Sequence, residues 1–138
     1  MIYLPGMKEF EVIGDGAAIR VRATTRAGLV TAALQGLMAA AKPKTSEVDE
    51  KTERTFAVAS DDFGRLLAEL LAAAAKASAE HKEAYEDVRF TLITDKKAEG
   101  AFVGRPAEGF GFPVKGSKGS IEVAKNESGE WETTVTLA

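Results

Sequence analysis

The chain has 138 residues, and its 18 Lys and Arg against 21 Asp and Glu leave a net charge of −3. This length, with 45% hydrophobic residues, suits one domain with a single packed core. The absence of Cys and the single His exclude disulfides, thiolate nucleophiles, zinc fingers, iron–sulfur clusters and sites built from several His ligands. Any bound metal would be a hard cation held by carboxylates and carbonyls. The mildly acidic balance argues against nucleic acid as a direct partner, because such binding usually needs a clearly basic face.

The sequence gives no sign of a membrane or export segment. No stretch reaches the ~18 consecutive apolar residues of a membrane span. Residues 1–7 lack the basic start and the long apolar run of a signal peptide. We therefore expect a soluble, cytoplasmic protein with no membrane partner.

The chain begins with two short β-type runs, at 10–13 and 19–23, on either side of a Gly-Asp-Gly turn at 14–16. In the second run, Arg20 and Arg22 alternate with apolar residues. This alternation predicts a half-exposed strand with its arginines outward.

Two helices are expected next. Residues 24–25 can cap a first helix of about 15 residues, which ends at Pro43 and is followed by a charged loop at 44–51. A strand is expected at 54–59. Ser60 then caps a second helix, whose Leu-rich face has helical spacing.

From Tyr85 onward the apolar residues alternate, which predicts strands separated by turns. Strand-like runs lie at 88–92, 101–103, 114–123 and 131–137, with a Gly/Pro loop at 104–111. The order of elements predicts one α+β domain over residues 1–138, with two helices packed on a mostly antiparallel β-sheet.

Asp15 is the acid most suited to binding a metal. Glycines on both sides let backbone carbonyls and water approach its carboxylate. The alternative is an ordinary Asp in a β-turn, and no second acid at fixed spacing accompanies it. His81 lies in a charged stretch, where we expect it at the surface at the end of the second helix. A catalytic His needs an orienting acid and a nucleophile, and no arrangement in the sequence implies either of them for His81.

Three other features each allow a binding role and a structural one. The glycines and lysines at 115–120 resemble a phosphate-binding loop in composition only, and a bent strand explains them as well. Arg20, Arg22 and Arg26 form either a local basic strip or a solvated strand face. Trp131 begins an alternating strand, which favours the core over a stacking platform.

Several strings in this order resemble archease, the family of small proteins that assist the tRNA-splicing RNA ligase. Residues 10–23 are similar to the family's opening Phe-Glu, its Asp-His-Thr-Ala-Asp motif and its Ile-x-hydrophobic-Arg-Ala strand. Residues 56–67 resemble its strand, acidic cap and Leu-rich helix. Residues 121–123 and 129–135 resemble its Leu-Glu-Val…Trp-Glu-x-Thr-Val ending. The resemblance spans most of the chain, from Phe10 to the end, and implies the archease fold.

The departures from this family concern its metal site, whose carboxylates come from the Asp-His-Thr-Ala-Asp motif and a near-terminal Asp. Here the motif reads Gly-Asp-Gly-Ala-Ala at 14–18, and Asp15 matches its first Asp only with a one-residue gap. Ala138 stands at the terminal Asp position. The family's Lys-Ala-x-Thr-Tyr-His string has become 115–119, without its Tyr and His. The resemblance implies a degenerate site, with Asp15 as the candidate ligand for a divalent cation such as calcium, or no cofactor at all.

The resemblance implies an accessory protein that is not an enzyme. Its partner would be an RNA ligase, which it helps into an active, nucleotide-charged state. The functional surface is expected at 14–18 and the facing end of the C-terminal strand. A second interpretation is a binding module on the same fold, which recognises another protein or a small ligand without activating a ligase. An enzyme has little support, because no nucleophile–base pair is visible.

Overall fold

The computed structural model describes residues 8–45, 50–114, 116–117 and 121–137. Within them the elements follow in the order β1 (Lys8–Ile13), a 3₁₀ turn (Gly14–Gly16), β2 (Ala18–Ala23), α1 (Arg26–Ala41), β3 (Pro43–Thr45), β4 (Thr52–Ala59), α2 (Phe63–His81), β5 (Glu83–Ile93), β6 (Lys97–Phe110), β7 (Ala124–Lys125) and β8 (Trp131–Thr136). The two helices pack on antiparallel sheets, which confirms the predicted α+β class.

The strands of the described residues form two four-stranded sheets. The first has the order β1-β2-β8-β7, so the last long strand lies beside one of the first. Its register pairs Ile19 with Val135, and both side chains are buried. In the second sheet, β6 is central, with β4 and β5 on its two sides and β3 paired with its C-terminal end.

Helix α1 is the centre of the core. The Thr25 hydroxyl accepts a hydrogen bond from the Gly28 backbone N–H at 2.9 Å, as expected for its N-cap. The helix ends at Lys42, whose φ of 50° is left-handed, and Pro43 begins β3. Because α1 contacts β1, β2, β5 and α2, it is buried on most of its surface and shows no single apolar stripe.

Helix α2 is amphipathic and begins two residues later than the sequence suggested. Ser60 is not its N-cap, because the Ser60 N–H donates to the Lys96 carbonyl at the end of the β4–β6 ladder. Asp62 takes that role and accepts a hydrogen bond from the Arg65 N–H at 2.8 Å. The buried face of α2 packs on the second sheet. It consists of Phe63, Gly64, Leu66, Leu67, Leu70, Leu71, Ala74, Ala75 and Ser78. Neither this helix nor α1 is both apolar and long enough to cross a membrane.

Three sequence-based expectations for loops and strands were wrong, in whole or in part. The Gly/Pro run at 104–111 is not a loop, because β6 continues to Phe110 and pairs with β3. The expected strand at 114–123 is absent from its described residues, apart from one isolated bridge between Ser117 and Leu137. The predicted loop at 44–51 also starts as strand β3, which β6 pairs with.

Candidate functional site

The turn between β1 and β2 depends on its two glycines. Gly14 has a φ of +60° and Gly16 a φ of +95°, values that L-amino acids with a side chain rarely adopt. The Ala17 N–H closes the turn on the Gly14 carbonyl at 3.1 Å. The structure therefore confirms the turn that the Gly-Asp-Gly sequence predicted.

This turn lies beside the end of β8. Ala18 pairs with Thr136, and the Leu137 N–H donates to the Ala17 carbonyl at 2.9 Å. On its other side Leu137 forms the bridge with Ser117. Three separate stretches of the chain, at 14–18, 116–117 and 136–137, therefore meet at one place.

The end of α1 and residues 111–113 complete a cleft at this place. The Phe112 N–H donates to the Ala41 carbonyl at 3.1 Å, and the Gly111 N–H donates to the Lys42 carbonyl at 3.0 Å. The Lys42 ammonium lies 5.4 Å from the centre of the Phe112 ring. The cleft has a volume of about 220 Å³, and its walls are Gly14, Gly16, Ala17, Leu37, Ala40, Ala41, Phe112, Pro113 and Leu137.

The sequence did not identify the contribution of α1 or of residues 112–113 to the cleft. The end of α1 and residues 112–113 come close to the turn only through long-range packing. Neither segment contains a local sequence motif that predicts this position. Phe112 does give a signal in the sequence, because it is a large apolar residue in a Gly/Pro segment. In the structure its side chain remains 49% exposed.

The described lining of this cleft does not fit a divalent cation. The lining is apolar. Among the residues the structure describes, no three His, Asp or Glu side chains lie close enough together to hold a metal ion. Calcium needs six to eight oxygen ligands, several of them carboxylates. The side chain of Asp15 and the whole of Ala138 lie outside the described residues, so Asp15 as a metal ligand stays a prediction.

Calcium titration tests that prediction. We expect any Ca²⁺ binding measured by calorimetry to be weak, with a Kd of roughly 1 mM or above, because one carboxylate competes poorly with water. Asp15→Ala should abolish it, whereas the control Asp61→Ala, at an exposed acid before α2, should not. Binding that survives Asp15→Ala would contradict the assignment.

The arginines of β2 do not form a basic strip. They lie on the outer face of the first sheet, as predicted, and each faces an acid of β1. Arg20 lies 3.4 Å from a Glu11 carboxylate oxygen, and Arg22 contacts Glu9. Arg26, at the start of α1, lies 2.5 Å from an Asp95 oxygen. Positive and negative side chains therefore alternate on this face, which favours the interpretation as a solvated strand face over a basic strip.

The remaining residues that the sequence singled out lie at the surface or pack against neighbouring elements. His81 is exposed in the last turn of α2. Gly116 lies against α2, since a Cβ there would sit 3.4 Å from the Ala72 Cα. Trp131 packs edge-on against Phe63 at 5.8 Å between ring centres and also contacts Arg26 and Lys125. Its ring lies at the border of the core.

The sequence reading missed a buried carboxylate cluster. Glu83 is 3% exposed and accepts from Arg54 Nε at 2.7 Å and from the Tyr85 hydroxyl at 2.9 Å. Burial raises the Glu83 pKa, but the donors on Arg54 and Tyr85 outweigh it and hold the pKa below its usual value. Burial and the neighbouring Glu83 raise the pKa of Tyr85. The signal was present, because residues two apart on a strand share a face.

The contacts of this cluster connect three elements of the fold. Arg54 donates to both carboxylate oxygens, at 2.7 and 3.2 Å, so the charge of Glu83 is compensated. The Ser78 hydroxyl donates to the Glu83 carbonyl at 2.5 Å and ties the end of α2 to the start of β5. None of these residues lines the cleft.

The comparisons with known proteins bear on the fold. No family model matches the chain, and no curated protein matches it. Among solved structures, it is similar to the solution structure of Methanobacterium thermoautotrophicum protein 1598, a structural-proteomics target. The TM-score is 0.55 at 18% sequence identity, and the match covers 94% of this chain and 96% of that one. The chain therefore shares a fold with this archaeal protein over almost the whole of both.

Proposed function

We propose that this chain is an archease-like accessory protein of the cytoplasm. In this proposal it is not an enzyme, and it assists an RNA ligase in reaching its nucleotide-charged state. The proposal combines the sequence resemblance to archease with the shared α+β fold. The cleft beside the 14–16 turn is its contact surface.

One observation carries this proposal. The resemblance singles out three stretches, the turn at 14–18, the segment from 115 and the end of the last strand. They are separate in sequence, yet their described residues meet through the hydrogen bond from Leu137 to Ala17 and the bridge from Leu137 to Ser117. Residues that matter for packing alone would be spread through the core, so their convergence at the surface supports a common role.

The experiment is a ligase assay. Purified protein should speed guanylylation, or allow multiple turnover, of the RNA ligase from the same organism. The readout is transfer of labelled GMP to the ligase over time, with bovine serum albumin as a control for crowding. No acceleration at a large excess of the protein would refute the proposal.

The apolar lining of the cleft favours a second candidate function. A cleft without a described carboxylate suits an apolar side chain of a partner, or a small ligand, better than it suits a cation. In this alternative the chain is a binding module that does not activate a ligase. Stable binding to the ligase without any change in guanylylation would favour it.

Phe112→Ser is expected to remove the effect on the partner in either case. Phe112 is 49% exposed at the cleft, so its loss should change the free energy of unfolding by about 0.5 kcal/mol or less. Leu92→Ser, at another exposed apolar residue outside the cleft, is the matched control and should keep full activity. Binding and guanylylation measured side by side check this. Equal behaviour of the two variants would show that the cleft is not the contact surface.

A further inference from the structure

Strand β1 forms an open edge of the first sheet. Among the described residues it pairs with β2 on one side, in a six-residue antiparallel register from Lys8 to Ile13. The backbone groups of its other side therefore face outward and have no partner among those residues. Phe10 and Val12 lie along this edge and remain 38% and 37% exposed, which is high for large apolar side chains of a strand.

These two apolar side chains share one face of β1, and helix α1 lies beneath that face. The Phe10 ring approaches α1 so closely that a Cβ added at Gly36 would sit 3.3 Å from it. At the start of the strand, Lys8 similarly lies near Gly28. An added strand would therefore place alternate side chains beside Phe10 and Val12 and bury apolar surface that is now exposed.

The opposite face of β1 is acidic. Glu9 and Glu11 point outward beside Arg22 and Arg20 of the next strand, with side-chain exposures of 51% and 67%. The arginines lie one strand further in, so the outermost charges of the sheet at this edge are negative. A strand added here would set its own outward residues directly beside the two glutamates, where basic side chains are favoured.

The same charges argue against a second copy of this chain at the edge. Antiparallel pairing of two β1 strands in a register that keeps their apolar faces together brings Glu9 or Glu11 opposite a glutamate of the other copy. Like charges directly opposite each other destabilise a strand pair. The occupant that fits is therefore a different sequence.

We propose that the β1 edge binds an extended segment of a partner protein by strand addition. In that segment, apolar residues pack beside Phe10 and Val12, and Lys or Arg residues alternate with them and face Glu9 and Glu11. Backbone hydrogen bonds supply binding, and the alternation supplies specificity. This proposal is independent of the proposed function, because the edge shares no residue with the cleft.

The test uses three synthetic heptapeptides and the full chain. In the first, lysine alternates with valine; in the second, glutamate replaces lysine; the third is the lysine peptide with every residue N-methylated. We expect the lysine peptide to bind and to shift the amide NMR signals of β1. The glutamate peptide should bind roughly tenfold more weakly. N-methylation should abolish binding, because it removes backbone donors.

A charge-reversed variant makes the test specific to the edge. Glu9→Lys with Glu11→Lys should reverse the preference, so that the glutamate peptide binds better. Glu53→Lys is the matched control, since Glu53 is also an exposed acid paired with an arginine of its own sheet, at 2.7 Å. It should leave the preference unchanged. Circular dichroism checks that each variant is folded.

Four results would overturn the proposal. They are no binding of the lysine peptide at millimolar concentration, equal binding of both charged peptides, NMR shifts that leave β1 unaffected, and binding that appears only when residues 1–7 are removed. The last result would mean that the chain's own first residues occupy the edge. Sedimentation without peptide adds a fifth, because self-association lost in the charge-reversed variant would identify a second copy as the occupant.

Discussion

Gly104→Ala is expected to destabilise the protein by about 3 kcal/mol or more, since overpacking against a neighbouring backbone strains a close-packed interior. Gly104 lies in the middle of β6, and a Cβ there would overlap the Ala84 carbonyl oxygen of β5. The register of β5 shifts next to it, between Tyr85 and Asp87, so the β5 backbone bends toward the glycine. The Ala84 oxygen is a backbone atom of a strand paired with β6, so it cannot swing aside as the end of a flexible side chain could.

Gly109→Ala is the matched control on the same strand. No atom lies within 4 Å of a Cβ at Gly109, and its backbone is not left-handed, so the added methyl group should be tolerated. Gly100→Ala should behave like Gly104→Ala, because a Cβ there would overlap the Arg89 carbonyl beside the second register shift of β5. Urea unfolding followed by circular dichroism measures all three. Similar midpoints for Gly104→Ala and Gly109→Ala would contradict this account of the bulges.

Glu83→Ala is the second substitution with a large expected effect, about 2–3 kcal/mol. It leaves the buried Tyr85 hydroxyl without its acceptor and the half-buried Arg54 without its carboxylate. The control is Glu53→Ala. Glu53 also binds an arginine at 2.7 Å, but its side chain is 47% exposed, so its loss should change stability by less than about 1 kcal/mol. Equal effects of the two substitutions in urea unfolding would contradict the importance of burial.

The same cluster should shape the pH dependence of stability. The Glu83 pKa is lower in the folded than in the unfolded state. The ionised carboxylate therefore adds to the free energy of unfolding above about pH 4.3, and this stabilisation is lost as the pH falls through the folded pKa. Tyr85 affects stability at alkaline pH. Its pKa is raised on folding, so the protonated hydroxyl adds to the free energy of unfolding below about pH 10, and this stabilisation is lost above that pH. Urea midpoints between pH 2 and 11 should show both losses. In Glu83→Gln the acid loss should shrink, whereas in Tyr85→Phe the alkaline loss should disappear.

The sequence predicted the elements whose signals are local. The Thr25 cap, the Gly-Asp-Gly turn and the alternation of β8 all depend on neighbouring residues, and the structure confirms each. The C-terminal half of β6 was missed because Gly and Pro normally interrupt strands. Pro106 is tolerated because β4 pairs with β6 up to Gly104 and β3 from Ala107 onward, so no described partner needs its missing N–H on that side.

The candidate site was predicted in part for a similar reason. The turn at 14–16 has its own sequence signal, and the resemblance pointed to the end of β8. The walls supplied by Ala40, Ala41 and Phe112 depend on how α1 packs between the two sheets, which no local pattern encodes. For the buried cluster, the spacing of Glu83 and Tyr85 on β5 is a local signal, but no local pattern encodes their contact with Arg54, which lies on β4.

The pairing of β2 with β8 sets the order in which the molecule can assemble. The two strands come from opposite ends of the chain, so their contact closes a loop of nearly the whole length, which is costly in chain entropy. During synthesis β1, β2 and α1 emerge first, and the inner edge of β2 has no partner until β8 follows. Leu137, which closes the cleft, directly follows β8 and donates to Ala17. The cleft is therefore built in the same late step that completes the first sheet, and partly synthesised chains cannot present it.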